Sequence, residues 1–195
     1  MFEGEDAASI RMLMSIFVNE ICEKSDFCLR AIYAAQDELN KEQVNVPSVF
    51  FHLKTALLHS SGVSLAFWPV KENAKMRGEM LRNAFTCEES IAFFRDRSFR
   101  NHLSHLDERI DNWWLTSTNR NIARNNIADS NAISGIQPSD EFERLDPTNA
   151  TLVFRGDVFR IPDFSHHCKQ IYFESEKLSQ LTWWDEEFIS FFPIK

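Results

Sequence analysis

Helix-breaking residues are scarce in this chain of 195 residues, which holds five glycines and six prolines. Long periodic segments run between them, so the composition argues for a mostly helical protein. Cysteine is sparse too. Cys22, Cys28, Cys87 and Cys168 form no C-x-x-C pair and no dense framework, which reads as buried thiols in a reducing cytosol. No apolar run reaches the ~18 residues a bilayer span needs. The opening Met1-Phe2-Glu3-Gly4-Glu5-Asp6 lacks the basic and apolar pattern of a signal peptide. The expectation is a soluble cytoplasmic protein without a membrane partner. Enzyme signatures are also missing: there is no G-x-G-x-x-G, no Walker loop, no H-E-x-x-H and no G-x-S-x-G. Internal repeats and low-complexity tracts are absent as well.

What is present is material for a core. A hydrophobic fraction of 44% with eighteen phenylalanines excludes disorder throughout, and the length suits one substantial domain or one domain with an appendage. The net charge of −8 speaks against broad, non-specific affinity for nucleic acid. Its distribution is uneven. Residues 1–70 carry five basic and nine acidic residues, 71–124 carry ten and eight, and 125–195 carry six and twelve. The middle segment alone is not negative, and a local basic patch there suits RNA.

Periodicity predicts helices over residues 5–39, 48–67 and 72–85. Thr86-Cys87-Glu88-Glu89 resembles a capping box opening a helix through Ile91, Phe93 and Phe94, with a break near Asp96–Ser98. The strongest helix follows. Phe99, Leu103, Leu106, Ile110 and Trp113 step by four, three, four and three, an amphipathic stripe. Residues 116–150 are rich in Asn, Ser, Asp and Thr, with Gly135, Pro138 and Pro147, and read as a loop, an ordered excursion or disorder. Residues 151–161 alternate around Arg155-Gly156-Asp157, a predicted β-hairpin that must pack on the helices to be stable. A helix from Pro162-Asp163 to about Leu181 and an apolar segment over 183–192 close the chain. The predicted organisation is a helical core over 1–118, a polar excursion over 119–150, and a hairpin with C-terminal helices over 151–195, packed on the same domain.

Several Arg and His pairs have the spacing of a phosphodiester-cleaving motif, in which a guanidinium binds the anion and an imidazole moves a proton. Arg95 and Arg97 with His102 begin in the predicted break. Arg160 with His166 or His167 straddles Pro162, so no single rigid element holds both. Arg100 and His105 both fall on the strongest helix, off its apolar stripe. On a helical wheel Asn101, Ser104, His105 and Glu108 cluster opposite that stripe, and Asn101 sits i,i+4 from His105, where it can orient the imidazole. Arg100 lies about 140° round from His105. It joins the site through its long stem or through a second subunit.

Arg100-Asn101-His102-Leu103-Ser104-His105, at the head of a helix in a helical setting, resembles the motif of HEPN domains. The resemblance implies an all-α fold, a HEPN-like helical bundle over 1–118 to which the hairpin near 151–161 and the C-terminal helices are added. It implies a metal-independent ribonuclease of a toxin–antitoxin or phage-defence system, with Arg100 and His105 catalytic and Asn101 supporting. It also implies a homodimer that brings two motifs into one cleft. Cleavage would proceed by attack of the ribose 2′-OH, with His105 as base and Arg100 stabilising the phosphate, leaving a 2′,3′-cyclic phosphate and a 5′-OH. Arg95, Arg97 and His102 are candidate RNA contacts. An antitoxin or regulatory partner is expected, and no cofactor.

Other readings stand beside this one. His102 and His105 could share a metal, but neither Leu106 nor Arg109 can supply a third ligand, and His102 also reads as a partly buried, hydrogen-bonded side chain. His166-His167-Cys168 are adjacent on a helix and point in different directions. No metal is expected. Trp113-Trp114 and Trp183-Trp184 could stack bases, although a tandem pair more often places one ring in the core and the other in an interface. The acidic neighbours Asp107, Glu108 and Asp111 oppose RNA approach and favour an alternative: a non-catalytic helical module for dimerisation or for binding RNA or protein.

Overall fold

The computed structural model describes residues 4–129, 132 and 135–194, with the side chain of Phe99 outside that description. Eight α-helices and four short strands make the described chain mostly helical. The helices are α1 (Ala7–Leu39), α2 (Val46–Phe67), α3 (Lys75–Ala84), α4 (Glu88–Phe93), α5 (Ser98–Ser104), α6 (Leu106–Thr116), α7 (Ile161–Ser179) and α8 (Glu186–Phe191). The strands are β1 (Asn126–Ile127), β2 (Arg144–Asp146), β3 (Thr151–Phe154) and β4 (Asp157–Arg160). Among the described residues no helix is long and apolar enough to cross a membrane.

The chain forms two compact units, each assembled from separated segments. The first holds Met1–Arg30, Leu58–Asp96 and His166–Lys195; the second holds Ala31–Leu57 and Arg97–Ser165.

In the first unit α1 buries Ile10, Met14, Val18 and Ile21, residues three or four apart that share one helix face. Gly78 on α3 has no room for a side chain. A Cβ there would stand 2.5 Å from Pro69 Cδ and 2.7 Å from the Phe67 carbonyl, so the missing methyl lets α3 close onto the end of α2. The capping box expected at Thr86–Glu89 does not form. The Thr86 N–H and hydroxyl both donate to the Glu174 carboxylate, at 2.7 and 2.6 Å, and α4 starts at Glu88 without a side-chain cap. A longer-range carboxylate has taken the Thr86 N–H that the Glu89 side chain would accept in a capping box, and has turned the hydroxyl into a donor.

The second unit is built on a mixed sheet in the order β1-β2-β3-β4, parallel at β1·β2 and antiparallel elsewhere. The hairpin expected over 151–161 is β3 and β4, joined by Arg155-Gly156. Both turn residues have positive φ, 50° and 90°, the tight geometry whose twist matches paired strands. The Arg155 side chain is held in turn, with Nη1 donating to the Arg109 carbonyl at 3.2 Å. The polar stretch is an ordered excursion in its described part and supplies β1 and β2; Ser130, Asn131, Ile133 and Ser134 lie outside the described residues. An all-α reading is therefore too narrow, because the strands carry core. Leu145, Leu152 and Phe154 pack with Phe142, Trp113, Phe50 and Leu53 in one buried cluster.

A carboxylate closes the turn between β2 and β3. Asp146 accepts from the Asn149 amide and from the backbone N–H groups of Thr148 and Asn149, each at 3.0 Å. These donors, led by the Asn149 side chain, hold its carboxyl below the usual range. A folded pKa below the unfolded one contributes stability that is fully present above the unfolded value, about 3.9, and is lost as pH falls through the folded value. The midpoint of thermal unfolding should therefore drop on acidification below about pH 4, and Asp146→Asn should flatten that part of the curve. An identical acid limb in both proteins would exclude this carboxylate as its source.

Candidate functional site

The predicted motif helix is two helices. α5 ends at Ser104 and α6 begins at Leu106, with His105 between them at φ −119° and ψ 39°. The hydrogen-bond ladder still crosses the junction: the His105 N–H donates to the Asn101 carbonyl, and the His105 carbonyl accepts from the Arg109 N–H, both at 3.0 Å. The helix is bent at His105 rather than interrupted. From Leu103 onward the apolar stripe faces the core of the second unit as its spacing requires. Trp113 is buried there, and Leu103, Leu106 and Ile110 pack against the cluster. Trp114, the next residue, is exposed and carries the Arg120 guanidinium 4.1 Å from its ring centroid.

Four of the polar residues singled out in the sequence are held by this bent element. Arg100 is half-buried, and its Nη2 donates to the Asn101 side-chain oxygen at 2.8 Å. The Asn101 amide therefore engages the guanidinium, where a continuous helix predicted that it would orient the imidazole. His105 is exposed, and its Nδ1 lies 3.4 Å from Glu108 Oε1. His102 is buried, bonded through Nε2 to the Asp157 carboxylate of β4 and stacked on the Phe154 ring with centroids 4.7 Å apart. Its imidazole ties α5 to the hairpin.

Of the flanking arginines, Arg97 belongs to the second unit and Arg95 to the first, where Arg95 lies 5.1 Å from the Trp68 ring centroid. Burial, and then the charge of Arg100, hold Arg97 below the usual guanidinium range. An arginine stays charged at neutral pH regardless, so two cations stand close together at the start of α5. Glu108, expected both on the face of His105 and as an acidic obstacle to RNA, is the imidazole's neighbour, as its i,i+3 spacing allows. Among the described residues no group of three His, Cys, Asp or Glu side chains could hold a metal ion.

In chemical terms the element offers a guanidinium fork oriented by an amide, and an exposed imidazole whose Nδ1 faces a carboxylate. That is the equipment of a general base beside an anion. Compared with family models, curated proteins and solved structures, the chain matches none of them.

Proposed function

We propose that the second unit carries a HEPN-like site for metal-independent cleavage of RNA. The observation that carries this reading is the exposed imidazole of His105 directly after the short helix that holds an arginine oriented by Asn101. With Nδ1 turned to Glu108, Nε2 is the nitrogen that takes the proton of the ribose 2′-OH. The 2′-oxygen attacks the adjacent phosphorus, the 5′-oxygen leaves with a proton, and Arg100 balances the charge that builds on the phosphoryl oxygens. Arg97 extends the anion-binding charge along the strand; His102, buried against Phe154 and bonded to Asp157, and Arg95, in the first unit, drop out of the expected RNA contacts. His105 of a second copy is the acid for the leaving oxygen, so the working form is a homodimer. Such an activity fits a toxin–antitoxin or phage-defence enzyme of the cytoplasm, restrained by an antitoxin or regulatory protein.

End-group analysis tests the reaction class. Incubated with RNA in EDTA, the purified protein should leave 2′,3′-cyclic phosphate and 5′-OH ends, and should spare DNA of the same sequence. Cleavage of DNA, 3′-OH products or dependence on added magnesium would rule the mechanism out. A second reading, a non-catalytic interaction module, draws support from the end of α6, where Trp114 and Leu115 are 52% and 83% exposed. A protein that dimerises and leaves every RNA intact would favour it.

A further inference from the structure

A groove of about 500 Å³ opens in the first unit, and the proposed RNA chemistry makes no use of it. Its volume falls within the range of small-molecule sites. Phe17, Leu65 and Val70 supply apolar wall, and the charged groups facing it are Lys24, Lys71, Arg77 and Glu20. Lys24 is satisfied within the protein, 3.1 Å from Glu23 and 3.8 Å from Glu20.

Arg77 is not. It is 9% exposed, and among the described residues no carboxylate lies within ion-pair distance of it. Its Nη2 donates to the Leu65 carbonyl at 3.0 Å, and the guanidinium lies 3.9 Å from the Phe17 ring centroid. Nε is buried without a hydrogen-bond partner among the described residues. Withdrawing a cation from water without an anion costs free energy that packing alone does not return. Burial accordingly pushes Arg77 below the usual guanidinium range. The side chain is nevertheless fixed in place by a carbonyl and a ring, which is how an anion-binding group is pre-organised.

We propose that this groove binds a small organic anion with an apolar body, its anionic head against Arg77 and its chain along Phe17, Leu65 and Val70. The two halves of the site are tested separately by titration calorimetry at pH 7 with octanoate, octanol and acetate. Octanoate should bind one to one, and octanol and acetate at least about tenfold more weakly, as expected for the loss of a charge-assisted hydrogen bond or of the apolar contact. Arg77→Met should weaken octanoate by about the same factor while leaving octanol unchanged, and should shrink the rise in melting temperature that octanoate gives the native protein by mass action. Gly62→Leu provides a second variant that leaves the guanidinium in place. A Cβ at Gly62 stands 3.1 Å from Lys24 Cγ in the groove wall, so the larger side chain should displace octanoate. Octanoate binding no better than octanol or acetate, or unaffected by Gly62→Leu, overturns the proposal. The RNA-cleavage reading is independent of either result.

Discussion

Replacing His105 with alanine should lower the rate of RNA cleavage by about 10²–10⁴-fold, the usual contribution of a positioned general base. The side chain is exposed and lies off the apolar stripe, so its removal costs little packing and the variant should unfold at the native temperature. Arg100→Ala should cost a similar factor, about 10²–10³, as for removal of a group that balances transition-state charge. Arg100→Lys should recover little of it, because an ammonium cannot present the planar fork that Asn101 orients. The double variant should fall well short of the product of the two single effects, since both groups serve one transition state. Asn101→Ala should have the smallest effect of the three, acting only by loosening Arg100. Initial rates on one labelled RNA, with circular dichroism to confirm folding, decide the matter. Rates within about threefold of native for both single variants would remove the site, since even one proton-transfer role is worth more than that.

The second large effect concerns stability. Phe142→Ala should cost about 3–5 kcal/mol, the range for a fully buried phenylalanine. Phe142 is completely inaccessible, and it meets the Trp113 and Phe154 rings edge-on, with centroids 5.8 and 5.4 Å away. Its loss would open a cavity between α6 and the sheet. It would also disturb Trp113, whose indole N–H donates to the buried Asp140 carboxylate at 2.9 Å. Trp114→Ala is the control: at an exposed position, it should change stability by no more than about 0.5 kcal/mol. Urea unfolding followed by tryptophan fluorescence separates the two. Equal midpoints for Phe142→Ala and Trp114→Ala would mean that the cluster does not hold the second unit together.

The helices were legible because each long one repeats its apolar residues every three or four positions, and this signal survives without tertiary information. The break before Ser98 and the bounds of α1 and α7 follow from it. β1 and β2 were not legible. Strands of two and three residues hold too few positions to display an alternation, and β1 takes its partner, β2, from eighteen residues further along the chain. The bend at His105 was equally hidden, because a wheel assumes one continuous helix. The assumption placed Asn101 beside the imidazole, whereas the amide is bonded to Arg100. His102 shows the opposite case. The sequence suggested a partly buried, hydrogen-bonded ring, but the acceptor, Asp157, lies fifty-five residues away and no local pattern could supply it.

The division of the chain into interleaved units also sets an order of events during synthesis. The last segment of the unit that holds the proposed RNA site ends at Ser165, whereas the other unit needs residues from His166 onward. Domains emerging from the ribosome fold as their segments become available. Early α1 makes contacts that only the final segment can provide, through Arg11 to the Phe192 carbonyl and through the Ser25 carbonyl to Cys168. The site-bearing unit therefore has its full sequence before the groove-bearing one, and the first turns of the chain wait for the last.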